Sequence, residues 1–232
     1  MTIGQPTSTI ASRIEAIRAR ISSACEHAGR DPASVTLVAV SKTQPASAVV
    51  EAWHAGIVDF GENRVQEAVP KIAEVREQLG AGPTGPSFHL IGHLQTNKAG
   101  LAVRNFSLLH SIDSERLLLA VAVPATDPVR ILLEVNVSGE ASKFGVSPAD
   151  LPALTALARK LPNLQLEGLM TVAPVVETPE EARPVFRELR ALAQRLGLST
   201  LSMGMTEDFE VAIEEGATHV RIGRAIFGER NP

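Results

Sequence analysis

Apolar residues recur along the chain in two alternating patterns. Ile10, Ile14, Ile17 and Ile21 recur at helical spacing, which predicts an amphipathic first helix. Residues 35–40 are then a short, mostly β-branched apolar run, typical of a strand that is buried on both faces of a parallel sheet. Strand patterns and helix patterns alternate from there to the end of the chain.

Eight strand patterns are predicted after the first helix, and a helix pattern follows each of them. The predicted strands are residues 35–40, 58–60, 88–91, 106–112, 129–137, 166–172, 198–203 and 218–222. The predicted helices are residues 46–55, 64–79, 96–103, 114–123, 148–161, 179–196 and 206–215, with a last turn at 225–228. This alternation indicates an α/β fold with a parallel sheet. Eight units favour a single (β/α)8 TIM-like barrel with an extra N-terminal helix, and a doubly wound open sheet is the alternative.

Length and composition fit one domain over residues 1–232, with residues 1–9 expected to form a flexible tail. The 232 residues suit a barrel of this class, and 44% hydrophobic residues suffice for a core. A Gly/Pro loop at 80–86 is too short to separate domains. No apolar segment remains for a partner, which favours a monomer.

Charge and cysteine content exclude several other classes of protein. A net charge of -4 argues against binding of nucleic acid through bulk charge. The apolar runs are far too short for a membrane span. The one cysteine, Cys25, allows no internal disulfide, and the N-terminus lacks the pattern of a signal peptide. These features predict a cytoplasmic protein.

The active sites of such barrels lie at the C-terminal ends of the strands, so the polar residues there are the candidates for chemistry. They are Ser41, Lys42, Gly61, Glu62, Asn63, His93, Asp113, Glu134, Asn136, Met170, Thr171, Ser202, Gly204, Arg221, Gly223 and Arg224. A metal site is not expected, because His89 and His93 would lie about 13 Å apart along a strand. His110 and His219 are interpreted as ordinary barrel histidines.

Lys42 is the most informative of these candidates. The chain has five lysines, and only Lys42 directly follows a wholly apolar strand. Burial at an apolar barrel mouth favours the neutral amine, which can form a Schiff base with a carbonyl compound. The alternative is a lysine whose amine extends from the strand end into solvent.

A second signal lies after the last two strands, where barrels of this class frequently bind phosphate. The two segments are Ser202-Met203-Gly204 and Arg221-Ile222-Gly223. Gly204 and Gly223 lack a Cβ atom, so their backbone N–H groups could approach an anion closely, and Ser202 could add a hydroxyl donor. The alternative is that these glycines only end their strands. A Schiff-base lysine that faces a phosphate site describes pyridoxal 5'-phosphate (PLP).

Arg221 bears on what such a cofactor could do. If its side chain points into the barrel, it could meet the pyridine nitrogen of the cofactor. An arginine only donates hydrogen bonds, so it would leave that nitrogen unprotonated and weaken the ring as an electron sink. The alternative is an ion pair with Glu134 or another acid in the barrel mouth.

Several segments of the chain together resemble the pyridoxal phosphate homeostasis proteins, the YggS/PROSC family. They are LVAVSKT at 37–43, FGENRVQE at 60–67, FHLIGHLQTNK at 88–98, HSID at 110–113, EGLM at 167–170, LSMGMT at 201–206 and VRIGRAIFG at 220–228. The family is similar in fold to the N-terminal barrel of alanine racemase. Each segment alone is weak, but the set is highly specific.

The resemblance implies a role for each matching residue. PLP would be held by Lys42, its phosphate by the segments 202–204 and 221–223, and its ring nitrogen by Arg221, with Asn63 beside the cofactor. Position 224 departs from the family, since many relatives carry a small hydroxylated residue where this chain has Arg224. Members are regarded as lacking robust enzymatic activity and as buffering PLP or delivering it to PLP-dependent apoenzymes.

Two enzymatic alternatives remain open at this point. One is a PLP-dependent amino-acid racemase or lyase of low activity, with His93, Asp113 or Glu134 as acid–base groups. The chain contains no tyrosine, which excludes the lysine–tyrosine pair of alanine racemase. The other alternative is a cofactor-free aldolase that forms a Schiff base between Lys42 and a sugar phosphate.

Overall fold

The computed structural model describes residues 9–80, 85–140 and 142–228, and within them eight parallel strands close into a barrel in chain order. The strands are β1 Thr36–Val40, β2 Asp59–Glu62, β3 Ser87–Leu90, β4 Leu108–Ile112, β5 Val129–Glu134, β6 Leu164–Met170, β7 Thr200–Ser202 and β8 His219–Ile222. The predicted (β/α)8 barrel is therefore confirmed. The predicted tail, apart from Thr9, and residues 81–84 of the predicted loop lie outside the described residues.

The helices lie outside the ring of strands. They are α1 Ile10–His27, α2 Ala46–His54, α3 Val65–Leu79, α4 Ala99–Asn105, α5 Glu115–Ala122, α6 Leu151–Ala158, α7 Arg183–Arg195, α8 Phe209–Glu214 and α9 Arg224–Phe227. Short 3₁₀ turns occupy Pro32–Ser34, Thr96–Lys98 and Pro179–Ala182. Within the described ranges, no helix combines the length and the apolar character needed to cross a bilayer.

The extra helix α1 begins and packs as its sequence predicts. The Thr9 side chain accepts a hydrogen bond from the Ser12 N–H and so caps the first turn. Ile14, Ile17 and Ile21 are buried in the main apolar core, between the helices and the strands. α1 thereby lies against α8 and α9 and covers the junction of the last and first units of the barrel.

The start of α8 corrects one prediction. The sequence pattern predicts a helix over 206–215, but the helix starts only at Phe209. The carboxylate of Asp208 instead accepts the Met205 N–H at 2.6 Å, and this bond holds residues 205–208 as a turn. A local side-chain bond of this kind competes with helix formation and delays the first helical turn.

The strand ends also differ from the pattern. β2 extends to Glu62, so Gly61 and Glu62 belong to the strand and only Asn63 follows it. β5 ends at Glu134, because the backbone beyond it pairs with the returning loop at Val146. These shifts leave the candidate residues at the carboxyl end of the barrel, whereas His89, His110 and His219, which are not among the candidates, lie within β3, β4 and β8.

Candidate functional site

Lys42 lies at the carboxyl rim of the barrel beside the end of β8. β1 and β8 are neighbours, with Val38 paired to Arg221 and Ala39 to Ile222. Lys42 is partly buried, two residues beyond the end of β1. The register therefore brings Lys42 and the segment 221–223 to the same part of the rim.

The turn that carries Lys42 has an unusual backbone. The Gln44 N–H donates to the Ser41 carbonyl oxygen at 3.0 Å and closes the turn. Thr43 has a φ of 66°, and no other non-glycine residue of the described chain has a positive φ. Left-handed backbone at a β-branched residue costs about 1–3 kcal/mol and concentrates at ligand sites. The strain thus marks the segment around Lys42.

A buried ion pair fixes the same turn from below. Lys71 on α3 donates from Nζ to the Glu62 Oε1 and to the Ser41 carbonyl oxygen, both at 2.8 Å. The Ser41 hydroxyl donates to the same Glu62 oxygen at 2.7 Å. Sequence reasoning gave no role to Lys71, because the contact joins a helix to the ends of two strands. Its effect is to fix the backbone immediately before Lys42.

Arg221 points into the barrel, which is the orientation that a contact with the cofactor ring requires. It is buried, and its guanidinium donates to Ser202 Oγ at 2.6 Å and to the Thr171 carbonyl oxygen at 2.9 Å. Burial lowers the pKa of Arg221 to about 10, and the charges of Asp208 and Glu134 act in the opposite direction. In the described part of the chain, no ion pair joins Arg221 to Glu134. The alternative role of Arg221, an ion pair with this acid, is therefore not what the structure has.

The two glycine segments differ in why they need glycine. Gly204 has a φ of 89°, and a Cβ there would lie 2.5 Å from the Ala212 Cβ, so close packing on α8 requires it. A Cβ on Gly223 would lie 3.3 Å from the Val40 carbonyl oxygen, a tight but milder contact. The Met203 N–H is already bound to the His219 carbonyl oxygen at 3.1 Å. Packing therefore accounts for part of the pattern that suggested an anion site.

Asn63 and Arg224 lie at the edges of this rim. Asn63 is partly buried, and a Cβ on Gly92 would overlap its backbone oxygen, so the loop after β3 packs tightly against it. Arg224 is exposed and lies 3.7 Å from the carboxylate of Glu207. The charge at position 224 thus has an acidic neighbour.

Acid–base groups lie across the barrel mouth from Lys42, at the ends of β4 and β5. Burial and the negative charge of Asp113 raise the pKa of Glu134 to about 7, while Arg221 acts against this. Asp113 lies 3.4 Å from His93 Nδ1, and the His93 ring stacks on Phe144 at a centroid distance of 4.0 Å. Phe144 belongs to the loop after β5, so this loop reaches over the mouth.

The polar interior of the barrel is the feature that sequence reasoning missed. His89, His110 and His219 lie with their rings 5.2–6.2 Å apart, although the chain pattern marks each only as one residue in an apolar strand. His110 is bonded to Ser202 and to His89. β3 and β4 are neighbours along the chain, but β8 follows them by more than 100 residues, and only the closed barrel brings its histidine to the other two.

Comparison with known proteins finds similarity over almost the whole chain. A family model described as "Alanine racemase, N-terminal domain" matches residues 13–231. The chain is 48% identical over 229 residues to the pyridoxal phosphate homeostasis protein of Pseudomonas aeruginosa, covering 97% of each chain. It is 44% identical over 232 residues to that of Escherichia coli, covering 96% of this chain and 97% of the relative. The chain belongs to the pyridoxal phosphate homeostasis protein family.

A solved structure shares the fold across almost the whole length. PipY of Synechococcus elongatus, in a structure with PLP bound, has a TM-score of 0.81 and 37% identity. The match covers 95% of this chain and 100% of PipY. The resemblance to the pyridoxal phosphate homeostasis proteins that the sequence motifs indicate is confirmed.

The residues predicted to hold PLP lie on or after four consecutive strands of the closed barrel. They follow or occupy the ends of β7, β8, β1 and β2. Lys42, Asn63, Gly204 and Gly223 lie along one side of the rim, and Arg221 lies just inside it. The hydroxyl of Ser202, by contrast, lies inside the barrel between Arg221 and His110.

Proposed function

We propose that this chain binds PLP, holds it as a Schiff base on Lys42, and serves in intracellular PLP homeostasis by buffering or delivery, without strong catalysis. The observation that carries the proposal is the pairing of β1 with β8, which places Lys42 beside the segment 221–223 at one rim. PLP-bound PipY, of the same fold, and the names of the relatives support it.

The chemistry of the residues at this rim fits PLP. Within the described part of the chain, the guanidinium of Arg221 is buried and donates to two neutral oxygens, so an anionic cofactor nearby would compensate its charge. Gly204, Ile222, Gly223 and Met203 surround the place where strand ends of this fold class commonly hold phosphate. We assign the phosphate to the backbone of these segments and the edge of the ring to Asn63.

When bound, PLP supplies an aldehyde for the lysine and an electron-poor ring. Lys42 contributes the amine, and the strained turn at Thr43 and the bonds from Lys71 hold its backbone. Arg221 can only donate to the ring nitrogen, which leaves that nitrogen without a proton and makes the ring a poor electron sink. The same residues that hold PLP therefore disfavour carbanion chemistry.

A second candidate function is a PLP-dependent racemase or lyase of low activity. The observation in its favour is Glu134, whose pKa of about 7 suits a general acid or base at neutral pH. The Asp113–His93 pair lies at the same mouth. Turnover of a panel of amino acids by the PLP-loaded protein separates this candidate from a carrier, which would show none above free PLP.

The partners proposed are PLP itself and PLP-dependent apoenzymes that receive it. A monomeric state and a cytoplasmic location remain predictions of the sequence. Direct delivery is tested by the transfer of bound PLP to an apoenzyme: a rate above spontaneous dissociation supports it. Transfer no faster than dissociation would leave only buffering.

The first test is the visible spectrum of the protein after addition of PLP. Lys42→Ala should abolish the absorbance band of the Schiff base, because the other amine near the end of β1, that of Lys71, is bound to Glu62 and to the Ser41 carbonyl oxygen. Lys160→Ala is the matched control, since Lys160 is exposed just beyond α6, and it should keep the band. Borohydride reduction followed by peptide mapping should place the label on Lys42. An unchanged band in Lys42→Ala would disprove the assignment.

A further inference from the structure

A hydrogen-bonded chain of side chains crosses the barrel interior from the site to the opposite face. Arg221 donates to Ser202 Oγ at 2.6 Å, and Ser202 Oγ lies 2.9 Å from His110 Nδ1. His110 Nε2 lies 3.2 Å from His89 Nδ1, and His89 Nε2 lies 3.1 Å from Asp59 Oδ1. The five groups stand on β8, β7, β4, β3 and β2, so no single sequence motif contains them.

The two ends of this chain are chemically opposite. A guanidinium has hydrogen-bond donors only, so Arg221 cannot accept a bond from Ser202. An ionised carboxylate has acceptors only, and the bond from His89 lowers the pKa of Asp59, against the opposing effect of its partial burial. The first bond must therefore run from Arg221. At the other end, the hydrogen on His89 Nε2 runs toward Asp59 at 3.1 Å, and the Ser87 hydroxyl, 3.3 Å from the same nitrogen, can then only accept a share of that hydrogen.

The middle of the chain then has one arrangement with neutral rings. Ser202 has one hydroxyl hydrogen and gives it to His110 Nδ1, so His110 carries its own hydrogen on Nε2. His110 donates in turn to His89 Nδ1, and His89 carries its hydrogen on Nε2 toward Asp59. If His89 instead donated to His110, it would need a hydrogen on Nδ1 in addition to the one on Nε2 that bonds to Asp59. His89 would then carry two ring hydrogens and a positive charge. Burial beside His89, His219 and Arg221 keeps His110 neutral, since it lowers its pKa well below the ordinary value.

We propose that this directed chain from Arg221 through Ser202, His110 and His89 to Asp59 positions the Arg221 guanidinium for the cofactor, with His110 and His89 as its positioning residues. Asp59 is partly exposed and lines a cavity of about 360 Å³ at the amino-terminal face. The chain therefore links that face to the site. Its role toward PLP rests on the function proposed above.

One consequence distinguishes this chain from simple packing. The hydroxyl hydrogen of Ser202 is committed to His110, so Ser202 does not donate to a phosphate in this arrangement. Ser202 acts on the cofactor through Arg221, which its oxygen holds. The phosphate is left to the backbone of the two glycine segments.

The ring tautomers test the chain without any cofactor. In the full-length, PLP-free protein with ¹⁵N-labelled histidine, long-range NMR spectra at neutral pH should show His110 and His89 with a pyrrole-like Nε2 and a pyridine-like Nδ1. A hydrogen on Nδ1 of His110, or on both nitrogens of His89, would overturn the proposal. This measurement tests the directions of the hydrogen bonds even if the protein binds no PLP.

The cofactor arm uses two matched variants of the same core. His110→Phe keeps a ring but breaks the chain, and it should speed PLP dissociation by roughly 3- to 10-fold, as the loss of one hydrogen bond predicts. His219→Phe makes the same change at a ring that contacts His89 and His110 but stands outside the chain, with its Nδ1 on Thr218. It should leave dissociation unchanged. Equal dissociation from wild type and His110→Phe would overturn the proposal, whereas a wild type that binds no PLP would overturn the proposed function alone.

Discussion

At the scale of the residue, the sequence predicts the chemistry of the site better than its contacts. Lys42 is identifiable because a lone lysine after an apolar strand is unusual. Arg221 is identifiable by its place in the last strand, but strand alternation alone does not tell which face of that strand is the inner one. The bond from Ser202 to His110 is not predictable, since it joins residues 92 positions apart across the barrel. The strain at Thr43 also leaves no sequence signal, because threonine rarely adopts a positive φ.

The strain at Thr43 leads to a prediction on stability. Thr43 is exposed with a φ of 66°, and asparagine tolerates this conformation better than a β-branched residue. Thr43→Asn should raise the free energy of unfolding by about 1 kcal/mol, measured by urea denaturation. Thr126→Asn, at an exposed threonine whose φ is not positive, is the control and should change little. An equal change in both variants would show that the Lys42 turn stores no strain.

At the scale of the element, the pattern of strands and helices predicts the barrel well and the element boundaries less well. Strand existence follows from runs of buried apolar residues, which the closed barrel requires on its helix-facing side. The start of α8 fails because the Asp208 carboxylate bonds the Met205 N–H, a choice between two local bonds that the pattern does not settle. The need for Gly204 lies in the packing of β7 and α8, which only the assembled fold shows.

The close packing around Gly204 leads to a second prediction on stability. Gly204→Ala would combine a φ of 89° with a Cβ only 2.5 Å from the Ala212 Cβ, and should destabilise the fold by about 2–5 kcal/mol. Gly197→Ala has a similar φ of 63° but open space around the new Cβ, and should cost about 1–2 kcal/mol. Thermal unfolding of both variants separates packing from backbone strain. Equal losses would mean that α8 moves aside without cost.

At the scale of the whole molecule, the barrel holds two buried ionisable groups that both cost stability, with opposite dependences on pH. Burial lowers the pKa of His219 to about 4 and raises that of Glu134 to about 7. The unfolded chain has ordinary values near 6.5 and 4.5 for these groups. Between pH 4 and 6.5, His219 takes up a proton when the chain unfolds. Between pH 4.5 and 7, Glu134 releases a proton when the chain unfolds.

The signs of the two contributions follow directly. The buried, neutral His219 lowers the free energy of unfolding increasingly as the pH falls from 6.5 toward 4. The buried, protonated Glu134 lowers it increasingly as the pH rises from 4.5 toward 7. Over pH 5 to 8 each contribution amounts to about 2 kcal/mol.

His219→Gln should therefore gain stability relative to wild type at pH 5, and Glu134→Gln at pH 8. Urea denaturation of the three proteins at both pH values measures this, and variant profiles parallel to that of wild type would contradict it. If the gain in stability of His219→Gln over wild type falls as the pH rises, and that of Glu134→Gln grows, both buried groups help to set the pH at which this fold is most stable.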